Sequence, residues 1–211
     1  PASFAPLIDE RTRAIFVESI GNPLGNVTDI RALADVAHAH GVPLIVDNTV
    51  PSPYLLRPIE HGADIVVHSL TKYLGGHGNS VGGAIVDSGK FPWAQHKARF
   101  PRLNEPDVSY HGVVYTEALG EAAFIGRARV VPLRNTGAAL SPQNAFLILQ
   151  GIETLALRMD RICDNTLALA QYLQKHPKVE WVRYAGLADH PDHAIVQKQL
   201  GGRASGILSF S

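Results

Sequence analysis

The stretch Pro43-Leu44-Ile45-Val46-Asp47 decides how this chain is read. It is apolar without alternation and closes on a carboxylate, the pattern of a strand buried on both faces of a parallel sheet. Upstream, Ala14-Ile15-Phe16-Val17-Glu18-Ser19 is a second short run rich in strand formers, ended by the turn signal Gly21-Asn22-Pro23. Between the two, Ile30, Leu33, Ala34 and Ala37 recur at helical spacing. Thr28 offers an N-cap hydroxyl there, and Gly41 stands where such a helix ends. Downstream, a short crossover holding Pro51, Pro53 and Pro58 leads to Ala63-Asp64-Ile65-Val66-Val67-His68-Ser69. Residues 14–69 therefore read strand, helix, strand, short crossover, strand. That is an α/β fold with a parallel sheet.

Residues 82–86 add a further strand. From about 91 to 135 the pattern breaks into Pro, Gly, Tyr and scattered charges, an aperiodic excursion that points to function. Ser141-Pro142 starts a helix, with Ser as cap and Pro at the first helical position. That helix is expected to break near Gly151, restart after Thr154, and run through Leu155, Ile162, Leu167 and Leu173. Strands are expected over 179–184 and 206–210, separated by a helical stretch near 191–200. A domain boundary is placed inside the long helix, dividing the chain into 1–160 and 161–211.

Composition narrows the function classes. With 211 residues, 45% hydrophobic and 18% charged, the chain has the balance of a folded protein rather than a disordered one. Nineteen basic and nineteen acidic residues cancel, which gives no electrostatic footprint for nucleic acid or an anionic membrane surface. No apolar run reaches the ~18–20 residues of a membrane span. The single cysteine, Cys163, excludes an internal disulfide and reads as a packing residue. His38-x-His40 points its rings to different sides of a helix, and the ten histidines are read without a metal site. Gly76-x-Gly78 followed by Gly82 lacks the dinucleotide-binding spacing. The chain opens at Pro1 without an initiator methionine, so it is expected to be part of a longer protein, incomplete as an enzyme by itself and associated with further copies.

In open parallel sheets, ligands bind beyond the carboxyl ends of the strands. Asn22, Asp47 and Ser69 fall at those ends, and Lys72 follows Ser69 and Thr71 just before Gly75-Gly76-His77-Gly78. Asp47 reads either as a turn cap or as a carboxylate awaiting a cation. Lys72 reads either as a surface turn lysine or as a nucleophilic amine. Taken together, hydroxyls for a phosphate, an amine for an aldehyde and a carboxylate for a protonated ring nitrogen describe pyridoxal phosphate.

Three segments carry a resemblance: 18–23 (ESIGNP), 46–49 (VDNT) and 68–78 (HSLTKYLGGHG). They are similar to the cystathionine γ-synthase family, the pyridoxal-phosphate enzymes of cysteine and methionine metabolism. Within it, 110–115 (YHGVVY) and 140–146 (LSPQNAF) resemble the O-acetylhomoserine sulfhydrylase branch. The resemblance implies an aspartate-aminotransferase-like large domain, with 82–86 as its antiparallel edge, and the start of a small C-terminal α+β domain. It implies that Lys72 takes the cofactor's aldehyde and that Asp47 faces the pyridine nitrogen. Ser69 and Thr71 would hold the phosphate, and Asn22 the phenolic oxygen. The implied reaction is replacement of acetate on O-acetylhomoserine by sulfide, in a cytoplasmic tetramer built as a dimer of dimers. Cystathionine synthesis and methionine γ-elimination use the same residues. The family's ring-stacking aromatic, phosphate-binding glycine turn and substrate-carboxylate arginine have no counterpart in these 211 residues.

Overall fold

In the computed structural model, which describes residue 1 and residues 3–211, four strands form the central sheet. They are β1 (Ile15–Glu18), β2 (Leu44–Asp47), β3 (Ile65–Ser69) and β4 (Gly83–Asp87), in that spatial order. β1, β2 and β3 run parallel, and β4 pairs antiparallel with β3. Glu18 lies in register with Asp47, and Ser69 with Gly83, so the polar strand ends share one rim.

The first crossover is α1 (Ile30–Ala39), which buries Ile30, Leu33, Ala34 and Ala37 as their spacing predicts. Its cap is Asp29 rather than Thr28. The Asp29 carboxylate accepts the Ala32 N–H at 3.1 Å, while the Thr28 hydroxyl donates to the Glu18 carbonyl at 2.8 Å. Thr28 is still held by the strand, its N–H bonded to Ser19 O, and so comes one residue too early to cap. The second crossover holds α2 (Ser52–Leu55) and a 3₁₀ turn over Pro58–His61.

The stretch from 91 to 135 is helical rather than irregular. It contains α3 (Pro101–Asn104), α4 (Tyr115–Leu119), α5 (Ala123–Ala128) and α6 (Arg134–Thr136). α3 and α4 are single turns, while α5 and α6 are joined without a break by a π-helical turn over Arg129–Leu133 that holds Pro132, so the 3.6-residue period is disturbed where the helix is long enough to show one. They close over a small core of Phe91, Trp93, Leu103, Tyr115 and Ala123 packed on Ile65 of β3. Trp93 stacks on Phe124 with ring centres 5.5 Å apart.

α7 (Pro142–Glu153) begins where expected, with the Ser141 hydroxyl accepting the Asn144 N–H at 3.2 Å. The break falls at Thr154, not at Gly151, and α8 (Leu155–Leu173) follows. Gly151 stays helical because it answers a packing demand: a Cβ there would lie 1.9 Å from the Gly75 carbonyl oxygen. Beyond it, β5 (Val182–Arg183), α9 (His193–Leu200) and β6 (Ser209–Phe210) form a small antiparallel pair with one helix. Both strands are shorter than their apolar runs suggested.

One hydrophobic cluster draws on both sides of residue 160. Ile30, Leu33, Leu44 and Val46 share it with Met159, Cys163, Tyr184, Val196 and Leu200. α9 also closes the start of α1: Gln199 Oε1 accepts the Ile30 N–H at 3.1 Å, and its amide donates to Thr28 O at 3.0 Å. Among the described residues, no helix is long and apolar enough to cross a membrane.

Candidate active site

The carboxyl ends of β1–β3 open on a cavity of about 680 Å³, within the usual size range for small-molecule sites. Asn22, Asp47, Ser69 and Lys72 all line it. Thr71 is occupied elsewhere: its hydroxyl donates to Gly82 O at 3.3 Å and accepts from Gly82 N at 3.1 Å, pinning the approach to β4.

Asp47 is half-buried rather than sealed at its strand end. Its Oδ1 accepts the Thr49 N–H at 2.9 Å, so the turn-capping role is present. The same Asp47 retains a second oxygen that bonds no partner among the described residues, and so it can take a cation as well. The Thr49 hydroxyl accepts the Ser69 N–H at 2.8 Å, which ties the end of β2 to the end of β3. Glu18 Oε2 accepts the Asn22 N–H at 3.2 Å and steadies the turn that presents Asn22.

Lys72 is exposed and lies in a helical turn over Leu70–Leu74 that its own backbone interrupts, at φ −89° and ψ −130°. Among the described residues it makes no ion pair. Behind this rim, His68 is buried, and burial draws its imidazole below the ordinary value against a smaller opposing pull from the Asp47 charge. Among the described residues its Nδ1 has no hydrogen-bond partner.

Thr49, Glu18 and Arg158 also line the cavity, and the sequence reading missed them. Thr49 had a local signal, since Asp-x-Thr after a strand favours an Asx turn. Arg158 had none, because its contact with the Lys72 turn spans 85 residues of sequence.

An unpaired amine, a carboxylate with a spare oxygen, a free hydroxyl and an amide on one rim match the groups of pyridoxal phosphate in type. The arrangement offers the functional groups that an aldehyde cofactor with a basic ring nitrogen would need. The comparisons agree. Residues 1–211 match the family described as Cys/Met metabolism PLP-dependent enzyme, and the chain belongs to it. It is 54% identical over 211 residues to the homocysteine synthase of Schizosaccharomyces pombe, covering all of this chain and 49% of that one. It is 52% identical over 211 residues to O-acetyl-L-homoserine sulfhydrylase 1 of Thermus thermophilus, covering all of this chain and 50% of the relative. A structure from Campylobacter jejuni holding N′-pyridoxyl-lysine-5′-monophosphate is similar at a TM-score of 0.92 and 40% identity, over 99% of this chain and 52% of that one. The chain spans about half the length of the curated relatives it matches. Fold class and cofactor follow from these likenesses: a pyridoxal-phosphate enzyme of the aspartate-aminotransferase type.

Proposed function

We propose that the full-length protein replaces the acetoxy group of O-acetylhomoserine with sulfide, yielding homocysteine and acetate. The supporting observation is that Lys72, Asp47, Ser69 and Asn22 line one cavity, in a chain about half identical to enzymes named for this chemistry. When bound, pyridoxal phosphate supplies a sink for negative charge developing at the substrate's carbons. Lys72 would hold the cofactor through its aldehyde, and its amine is the group placed to carry protons at the substrate's Cα and Cβ. Asp47 would face the pyridine nitrogen with its spare carboxylate oxygen, where an anion favours the protonated form. Ser69 would offer its hydroxyl to the phosphate. Thr71 would join it only by giving up both bonds its hydroxyl makes with Gly82, at 3.3 Å to the carbonyl and 3.1 Å from the N–H. Asn22 would steady the phenolic oxygen. From the family resemblance alone we also propose a cytoplasmic tetramer built as a dimer of dimers, and light scattering of the full-length protein checks the tetramer.

The deciding experiment supplies O-acetylhomoserine to full-length protein with sulfide, and separately with cysteine. Homocysteine and acetate from the first mixture are the expected products. Cystathionine from the second alone, or ammonia and a 2-oxo acid without added thiol, would replace this reading by one of its sister reactions.

A further inference from the structure

The turn that carries Lys72 is held by one residue of α8. Arg158 Nη1 donates to the Tyr73 carbonyl at 2.7 Å, Nη2 to the Gly151 carbonyl at 2.7 Å, and Nε to the Thr154 hydroxyl at 3.1 Å. The first acceptor belongs to the residue next to Lys72. The other two belong to the last turn of α7 and its junction with α8. A single planar guanidinium thus bridges the lysine turn to two helices, which an ammonium on a flexible stem cannot reproduce.

The packing around this bridge has no slack. A Cβ on Gly76 would lie 2.6 Å from the Arg158 guanidinium carbon, and one on Gly151 would lie 1.9 Å from the Gly75 oxygen. Residues 72–76 are therefore clamped between α7 and the guanidinium. The turn needs an outside hold, because Lys72 itself departs from helical backbone angles. The guanidinium lines the cavity yet directs its bonds at backbone and a hydroxyl, which points away from anion binding as its main task.

We propose that Arg158 is a positioning residue: by fixing the Tyr73 carbonyl it sets the direction from which the Lys72 amine enters the cavity. This rests on Lys72 being the amine that holds the cofactor. Loss of the guanidinium leaves the site's chemistry in place but lets the lysine turn wander, and misplacement by about 1 Å can cost up to about a hundredfold in rate.

The test uses full-length apoprotein mixed with pyridoxal phosphate. The visible absorbance that grows as an amine takes the aldehyde gives the rate and the pH midpoint, and borohydride reduction with peptide mapping identifies the lysine. If the parent is marked at a lysine other than Lys72, the underlying reading of the site falls, and this inference with it. If Lys72 is marked, Arg158→Met should slow uptake about tenfold and move the pH midpoint, with faster amide exchange over 72–76. Arg158→Lys and Thr154→Val, which each leave part of the bridge, should lose less. Parent-like uptake and midpoint in a folded Arg158→Met protein would overturn the proposal. Should Arg158→Met fail to fold, parent-like values in both milder variants overturn it, and graded losses in them support it.

Discussion

Lys72 and Asp47 stand on the same rim but should fail differently when removed. On the proposed reading Lys72→Ala deletes both the amine for the aldehyde and the proton carrier, so turnover by full-length protein should drop by at least about a thousandfold with the fold intact. Asp47→Ala leaves the amine in place and should lower turnover together with cofactor retention, read by dialysis and residual absorbance. His68 makes a different prediction. Burial holds its folded-state pKa below the ordinary 6.5, so the folded protein binds fewer protons than the unfolded chain below that pH. This contribution is absent as a penalty at pH 7.5 and grows as pH falls from about 6.5 toward the depressed value. Full-length protein should therefore melt lower at pH 5.5 than at 7.5, and His68→Gln should shrink that difference. An unchanged difference would show that other groups set it.

Among the elements, the contact of α7 with the lysine turn is the most exacting. Gly151→Ala places a methyl against the Gly75 carbonyl with no room to relax along a helix axis. The expected cost is at the upper end for overpacking, about 3 kcal/mol in urea titration of the full-length protein. What the sequence disclosed follows the same local logic. The span from Ile15 to Ser69 was legible because its strands are unbroken apolar runs and α1 repeats every three to four residues. Asn22, Asp47, Ser69 and Lys72 were legible because each stands at or just past a strand end. The short helices around Tyr115 were not, since their stability comes from aromatic packing rather than from any repeat. Arg158 was beyond reach for the same reason: nothing near it in sequence hints at Tyr73.

At the scale of the whole molecule, residues on either side of position 160 share one core and one buried polar link. Gln199→Leu keeps the side chain's bulk but strands the Ile30 N–H, which is fully buried. Leaving such a group unpaired costs about 1–3 kcal/mol. In full-length protein the variant should shift the urea midpoint downward. Unfolding followed by tryptophan fluorescence and by circular dichroism should shift together, since Trp93 and Trp181 lie on opposite sides of that position. Two separated transitions would instead argue that the two parts melt independently.

The link from Gln199 to Ile30 also bears on the order in which the chain can mature during synthesis. The two residues are 169 positions apart, so α1 emerges from the ribosome long before the side chain that completes its first turn exists. At about 5–20 residues per second, that interval is roughly 10–30 s. Until then the first N–H of α1 has water as its partner, and the part of the core that Val196 and Leu200 complete lies open. A nascent chain halted before Gln199 should accordingly remain a client of chaperones even though its parallel strands are already made.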